Sequence, residues 1–248
     1  MAADSGDRPL RGIRVVTTRE RPGQLDRSLT ALGAEVVHVP LIETTDPVDG
    51  GAALRAELAR ADEYDWVIVT SPVGAERALP AIGGADVRLA TVGTKTAEVA
   101  EAIVGRPVDV VPARQLAAAL VEAMPTPTGP ERVLLAVADR ADPATAAALG
   151  ERGYDVTSVV AYRTLLRHPT ADERAVALGA DLVAFASGSA ATSWADAIGT
   201  ETPPHVVSIG PSTTAAAEAR GLRVTTTATD HSIDGLVAAI VQTATSAS

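Results

Sequence analysis

Hydroxyl side chains repeatedly follow short apolar runs of this sequence, at points where a strand is expected to end and a helix to begin. In parallel α/β sheets such points lie at the carboxyl edge, where ligands bind. A hydroxyl and the free N–H groups of a helix start together accept an anion, which the helix dipole also favours. The same residue types are preferred as structural caps, so both interpretations stay open. The residues concerned are Ser71, Ser187, Thr96, Ser212 and Thr213.

Two arginines and one tyrosine add further candidate chemistry. Arg19 and Arg21 follow the first predicted strand, where a guanidinium fork suits a carboxylate or a phosphate. A solvated loop with Arg–Glu pairs is the competing interpretation, and it applies more to Arg21 than to Arg19. Tyr162 stands at a predicted hinge, where its phenol either acts on a ligand as donor or proton carrier or packs the hinge.

Several common enzyme motifs are absent. Gly93-Thr94-Lys95-Thr96 is similar to the end of a phosphate-binding loop, but Arg88 stands where that loop needs its first glycine. No GxGxxG turn is present, which argues against a one-domain dehydrogenase, and Ser187-Gly188-Ser189 lacks the context of a nucleophile elbow. The four histidines are scattered and are interpreted as surface or loop residues.

Composition narrows the function classes. The chain has 248 residues, a formal charge of −10 and no cysteine. It therefore has no broad basic face for nucleic acid, no disulfide framework and no cysteine-rich zinc site, and we predict no metal. The longest apolar run, Leu116 to Val121, is far short of the roughly 20 residues of a membrane span. Residues 1–11 lack the apolar centre of a secretory signal, so we expect a cytoplasmic protein.

Short β-branched runs alternate with alanine-rich helical stretches along the whole chain. We predict ten strands between Ile13 and Thr227, including Val108–Val111, and eight helical stretches between Pro22 and Thr243. This alternation is typical of a parallel α/β architecture. The segments Pro125–Pro130 and Arg167–Asp172 are interpreted as linkers or exposed loops.

An internal repeat divides the sequence into two similar halves. Asp65 to Ser71 (DWVIVTS) matches Asp181 to Ser187 (DLVAFAS), and the next motif glycine follows at Gly93 and Gly210. Ile13–Val36 matches Arg132–Val156 more loosely. The halves either form two lobes end to end, split near 125–130, or exchange segments so that the middle of the chain forms one lobe. Both arrangements imply a cleft between two α/β lobes.

The motifs, taken in order, resemble the uroporphyrinogen-III synthase family from about residue 12 to 241. They are VTTR at 16–19, Pro40, DWVIVTSP at 65–72, VGTKTA at 92–97, VAYRT at 160–164 and IGPST at 209–213. The resemblance implies two similar, flavodoxin- or Rossmann-like lobes joined by a two-stranded connector, with the site in the cleft. It favours the exchanged arrangement, with residues 1–40 and 166–248 in one lobe, 45–160 in the other, and 41–44 and 161–165 as connectors.

The resemblance also implies an activity. Family members close hydroxymethylbilane, a linear tetrapyrrole with eight carboxylates, to uroporphyrinogen III, inverting the last pyrrole ring and releasing water without metal or organic cofactor. We therefore expect a cyclising hydro-lyase of tetrapyrrole biosynthesis that is monomeric and makes at most transient contact with the enzyme supplying the bilane. The alternative is a two-lobed protein that binds or senses a small anion without converting it.

The resemblance carries residue roles onto this sequence. Tyr162 matches the tyrosine near the leaving hydroxyl and is the predicted catalytic residue. Gly188 departs from the pattern, because proline follows the serine in the first half. Lys95 has no counterpart in the second half. The predicted substrate-binding residues are Arg19, Ser71, Gly93, Thr96, Ser187, Gly210, Ser212 and Thr213.

Overall fold

The computed structural model describes residues 8–246, so residues 1–7 of the polar N-terminal stretch and residues 247–248 lie outside the described part. Strands and helices alternate within it. The strands are β1 Arg14–Thr17, β2 Glu35–His38, β3 Ile42–Thr45, β4 Trp66–Val69, β5 Arg88–Thr91, β6 Glu131–Ala138, β7 Tyr154–Leu166, β8 Leu182–Phe185, β9 His205–Ser208 and β10 Thr226–Thr227. The helices are α1 Gln24–Ala31, α2 Ala52–Leu58, α3 Pro72–Ala78, α4 Thr94–Val104, α5 Ala117–Ala123, α6 Ala144–Glu151, α7 Ala171–Leu178, α8 Gly188–Ala197, α9 Pro211–Glu218 and α10 Ile233–Ser246.

These elements form two compact units. The first unit contains the residues up to Glu43 and from Leu165 onward, and the second unit is Thr44–Thr164. The chain passes from one unit to the other twice, within β3 and within β7. The proline-rich segment Pro125–Pro130 lies inside the second unit. The predicted α/β class with two parallel-sheet lobes is confirmed.

The two sheets share the order of four of their five strands. The full order is β10-β9-β8-β1-β2 in the first unit and β3-β7-β6-β4-β5 in the second. β1 is parallel to both of its neighbours, β2 and β8, and β6 is parallel to β7 and β4. The run β2-β1-β8-β9 therefore corresponds to β7-β6-β4-β5, as the repeat predicts, and it follows the flavodoxin-like order. A glycine in the left-handed conformation precedes the first-named strand of each run, Gly33 before β2 and Gly153 before β7.

The central strands are continuous apolar runs because helices cover both faces of each sheet. All four residues are buried in β4 and in β8. In β4 the side chains alternate between two core clusters, with Val67 and Val69 in one and Trp66 and Ile68 in the other. The helices bury one face each and end at typical signals, such as Gly105, which takes a left-handed conformation after α4.

The structure corrects two of the predicted elements. Val108–Val111 is not a strand, since only an isolated bridge joins Val110 to Ala90, at the position that β10 occupies in the first unit. Arg167–Asp172 is only partly a loop, because Thr170 caps α7, which begins at Ala171. Proline, threonine and aspartate are common both in loops and at helix starts, which explains the misassignment.

None of the helices within residues 8–246 is both long and apolar enough to span a bilayer.

Candidate functional site

In the first unit, β1 and β8 are neighbours whose following helices lead to opposite sides of the strand order. β1 continues through α1 to β2, and β8 continues through α8 to β9. At such a switch point the two loops diverge and leave a crevice beyond the carboxyl ends of the strands. The predicted residues Arg19 and Ser187 lie in these two loops.

A cavity of about 290 Å³ opens at this switch point and brings Arg19 and Ser187 together. Arg19 is exposed, and among the described residues its guanidinium has no hydrogen-bond or ion-pair partner. Hydroxyls and short apolar side chains form the rest of the wall. The lining includes Thr17, Thr18, Leu25, Asp26, Ile42, Ala184, Ala186, Ser189, Ala190, Ser193 and Ile233. One cation, several hydroxyls and an apolar floor suit a carboxylate on a short alkyl arm.

Two residues that the sequence analysis missed fix the loop that carries Arg19. The carboxylate of Asp26, only 7% exposed, accepts the Thr17 hydroxyl at 2.6 Å and the Gly23 N–H at 2.6 Å. The His38 Nε2 lies 2.7 Å from the Arg19 carbonyl oxygen. Both ends of the loop are therefore held. Asp26 carried a weak signal, since it is the third residue of α1, where a carboxylate caps the helix start.

Ser187 is the N-cap of α8, and its Oγ accepts the Ala190 N–H at 3.2 Å. Its Oγ also lies 3.0 Å from Ser189 Oγ. Gly188, the departure from the repeat, has a packing reason, because a Cβ there would lie 3.0 Å from the Cβ of Ala216 on α9. The close approach of α8 and α9 therefore excludes a larger residue at this position.

The residues of the second motif in this unit form the start of α9. Gly210 is the N-cap, and its carbonyl accepts the N–H groups of Thr213 and Thr214 at 3.0 Å each. Ser212 is exposed, whereas Thr213 is only 2% exposed. The ring of His231 covers Gly210 so closely that a Cβ there would lie 2.9 Å from it. The substrate-binding role of this group stays a prediction.

In the second unit, β6 and β4 form the equivalent switch point, and there the structure joins Ser71 to Tyr162. Ser71 is the N-cap of α3, and its Oγ accepts the Gly74 N–H at 3.0 Å. The Tyr162 hydroxyl donates to the same Oγ at 3.0 Å. The phenol is half-buried, and its ring passes 4.0 Å from where a Cβ of Gly74 would stand. A weak acid is thus held in one orientation at the carboxyl edge of the sheet.

The neighbouring helix α4 starts with Gly93, whose carbonyl accepts the N–H groups of Thr96 and Ala97 at 3.0 Å each. Thr96 is only 4% exposed and its counterpart Thr213 only 2%, so both side chains are buried in the first turn of their helices. Gln115 covers Gly93, with its Oε1 2.7 Å from where a Cβ would stand. His231 and Gln115 therefore occupy matching positions over matching glycines, a relation that no sequence signal indicated.

The second unit contains two further tyrosines, Tyr64 and Tyr154, away from its switch point. There burial raises the pKa of Tyr64 and of Tyr154, and the hydrogen bond to Glu57 raises that of Tyr64 further. Both tyrosines lie near the amino ends of strands. Within residues 8–246 no three His, Asp or Glu side chains lie close enough together to hold a metal ion.

Comparison with known proteins gives consistent matches. A family model described as uroporphyrinogen-III synthase HemD matches residues 23–238. The uroporphyrinogen-III synthase of Synechococcus elongatus is 28% identical over 258 residues, covering 95% of this chain and 97% of that protein. The chloroplastic uroporphyrinogen-III synthase of Oryza sativa subsp. japonica is 29% identical over 250 residues, covering 92% of this chain and 80% of that protein. The crystal structure of the uroporphyrinogen-III synthetase from Helicobacter pylori shares the fold, with a TM-score of 0.61 at 16% identity, and the match covers 93% of this chain and 99% of that one.

Proposed function

The chain belongs to the uroporphyrinogen-III synthase family, and we propose that it closes hydroxymethylbilane to uroporphyrinogen III with Tyr162 assisting the loss of the hydroxyl group. The observation that carries this role is the hydrogen bond from the Tyr162 hydroxyl to Ser71 at the carboxyl edge of the second sheet. The alternative of an anion-binding protein without catalysis has no support in the comparisons, which match enzymes.

The chemistry requires little from the protein. Loss of hydroxide from the electron-rich pyrrole carbinol leaves an azafulvene cation, which another carbon of the same molecule attacks. The Tyr162 phenol donates its proton to the departing oxygen, which leaves as water. Ring closure then releases a proton from the pyrrole carbon that attacks the cation, and this proton restores the phenol. Folding the bilane and excluding water supply the remaining acceleration.

We further propose that the first unit supplies a positive charge that binds carboxylates of the bilane. Arg19 faces the cavity without an ion-pair partner among the described residues, and Ser187 lies in the same wall. The net charge of −10 does not oppose this role, because a guanidinium and helix starts create a local positive field. The proposal assigns substrate-binding roles to the predicted residues of both units, Arg19, Ser71, Gly93, Thr96, Ser187, Gly210, Ser212 and Thr213. No metal or organic cofactor is part of it.

We further propose that the protein is a monomer in the cytoplasm and that it contacts the bilane-forming enzyme transiently. A transient contact is favoured by the instability of hydroxymethylbilane, which cyclises spontaneously to the symmetrical isomer I. A monomer is favoured because few large apolar side chains of the described residues are exposed, namely Val48, Leu116, Leu166 and Val176. Light scattering of the purified protein tests the monomer.

The test supplies freshly made hydroxymethylbilane to the protein and separates the oxidised porphyrin isomers, with a reaction lacking enzyme as control. We expect isomer III to predominate with the protein and isomer I without it. Tyr162→Phe keeps the ring and removes the hydroxyl, so we expect a reduced share of isomer III. Isomer I alone from a folded sample would refute the proposal.

A further inference from the structure

Strand β7 changes the face to which its side chains point partway along its length. Tyr154 and Val156 pack into one core cluster, whereas Val159 and Ala161 pack into the cluster on the opposite face of the sheet. Regular alternation would return Tyr162 to the face of Tyr154. Tyr162 instead packs against the cluster that contains Val159 and Ala161.

A β-bulge explains the change of face. The β6–β7 register pairs Val137 with Val160 but pairs the next residue, Ala138, with Tyr162. Ala161 is therefore an extra residue on β7, and such bulges redirect the side chain that follows. The redirected face is the one on which α3 packs, because α3 contributes to the same cluster. Without the bulge, the phenol would point away from Ser71.

Asp139 holds the chain on the far side of this bulge through three contacts. Its backbone N–H donates to the Tyr162 carbonyl oxygen at 2.9 Å. Its carboxylate accepts the Thr164 N–H at 3.2 Å through Oδ1, and its Oδ2 lies 3.9 Å from the Arg163 Nε. The Asp139 side chain is 23% exposed, so these contacts are partly shielded from water.

We propose that Asp139 is a positioning residue for the reaction, which anchors Tyr162–Thr164 across the β-bulge and so aims the Tyr162 phenol at Ser71. This inference rests on the proposed function of Tyr162. The Asp139 carboxylate acts through the Thr164 N–H and the Arg163 guanidinium, so its removal loosens the segment that carries Tyr162, while the bond from the Asp139 N–H to the Tyr162 carbonyl remains.

Kinetics of Asp139→Ala, Asp139→Asn and a control variant test this role. Asp155→Ala is a matched control, because Asp155 lies on β7 itself and its Oδ2, like that of Asp139, is 3.9 Å from an arginine, here Arg132. We expect D139A to lower kcat about tenfold with little change in KM, because small misplacements of a reacting group are costly. D139N keeps an acceptor for the Thr164 N–H and recovers most of the activity, while D155A resembles the wild type. Equal kcat in D139A and D155A would overturn the proposal.

A double-mutant cycle separates positioning from general stability. In the Y162F background we expect D139A to cause no further loss, since the phenol through which it acts is already gone. A second full loss in that background would overturn the proposal. Circular dichroism confirms the fold of each variant, and Asp139→Ser, which also removes the carboxylate but keeps a polar side chain, replaces D139A if D139A does not fold.

A second readout does not depend on turnover. Incorporation of 3-fluorotyrosine gives one ¹⁹F resonance for each of the three tyrosines, and Y162F identifies that of Tyr162. We expect D139A to shift or broaden this resonance and D155A to leave it in place. An unmoved resonance in D139A would overturn the link between Asp139 and Tyr162. A moved resonance with only isomer I from the wild type would support that link and refute the proposed function.

Discussion

Ser71 and Ser187 cap equivalent helices in the two units, yet their hydroxyls have different further partners. Ser71 accepts the Tyr162 hydroxyl, whereas Ser187 lies beside Ser189. The difference arises in the chain segment that follows the left-handed glycine of each half, Gly33 or Gly153. Tyr162 stands nine residues after Gly153, and the residue nine after Gly33 is Ile42, which lines the first unit's cavity. The tyrosine hydroxyl therefore belongs to one unit, and the Arg19 guanidinium, which has no partner among the described residues, belongs to the other.

This contrast makes Ser71→Ala and Ser187→Ala a matched pair. Each loses an N-cap, so we expect each free energy of unfolding to fall by about 1 kcal/mol. Only S71A removes the acceptor of the Tyr162 hydroxyl, so we expect it to lower kcat about tenfold, while S187A acts mainly on KM. Urea unfolding and isomer-resolved kinetics measure both effects. An equal fall in kcat would contradict a special role for Ser71.

The sequence predicted Ser71, Ser187, Arg19 and Tyr162 individually but not their partners. The Ser71–Tyr162 hydrogen bond joins residues 91 positions apart, and the bulge that makes it geometrically allowed leaves no trace in an alternating apolar pattern. Asp139 was missed for a related reason. Its carboxylate accepts the backbone N–H of Thr164, and such a contact needs no particular residue type at the other end.

At the scale of elements, capping residues determine where helices begin, and they also caused the errors of prediction. Thr170 and Glu173 form a capping box at the start of α7, where the sequence was interpreted as a loop. Helix α3 was not predicted, because Pro72 and Gly74 within its seven residues are typical helix breakers. The long helices were predicted well because their apolar spacing extends over several turns.

Glu173 predicts a pH dependence of stability. Its hydrogen bond from Arg167, together with that from the Thr170 N–H, lowers its pKa below the usual 4.5. A carboxyl whose folded pKa is lowered stabilises the fold above its unfolded pKa, and this contribution is lost as the pH falls through the folded pKa. We therefore expect Glu173→Gln to be less stable than the wild type at neutral pH, with the difference shrinking below pH 4.5.

Urea unfolding at several pH values measures this difference. Glu151→Gln serves as the control, because the carboxylate of Glu151, an exposed residue at the end of α6, has no hydrogen bond or ion pair with any described residue. A difference between E173Q and the wild type that stays constant from neutral pH to pH 3 would contradict the assignment.

At the scale of the whole molecule, every core cluster of described residues lies within one unit. Two clusters belong to the second unit, and two belong to the first. Each unit also contains one of the two tryptophans, Trp66 in the second and Trp194 in the first, at 2% and 0% exposure. The protein thus carries one buried fluorescent reporter in each unit.

We expect the two units to unfold at different urea concentrations, because each core cluster of the described residues lies within a single unit. Trp194→Phe leaves Trp66 to report on the second unit, and Trp66→Phe leaves Trp194 to report on the first. In both variants the reporting unit keeps its natural sequence. Fluorescence should give two midpoints, and circular dichroism of the wild type should show a broad transition. Coincident midpoints by all three measurements would show instead that the units unfold as one.

The exchanged arrangement of the chain also sets the order in which the protein assembles on the ribosome. β1 pairs with β8, and the Arg14 N–H donates to an Asp181 carboxylate 167 residues further along. Because translation adds about 5–20 residues per second, β8 is synthesised roughly 8–30 s after β1, α1 and β2. The middle unit is completed first, while the N-terminal segment keeps an open strand edge. A nascent-chain chaperone that covers such an edge would therefore matter most during translation of residues 44–164.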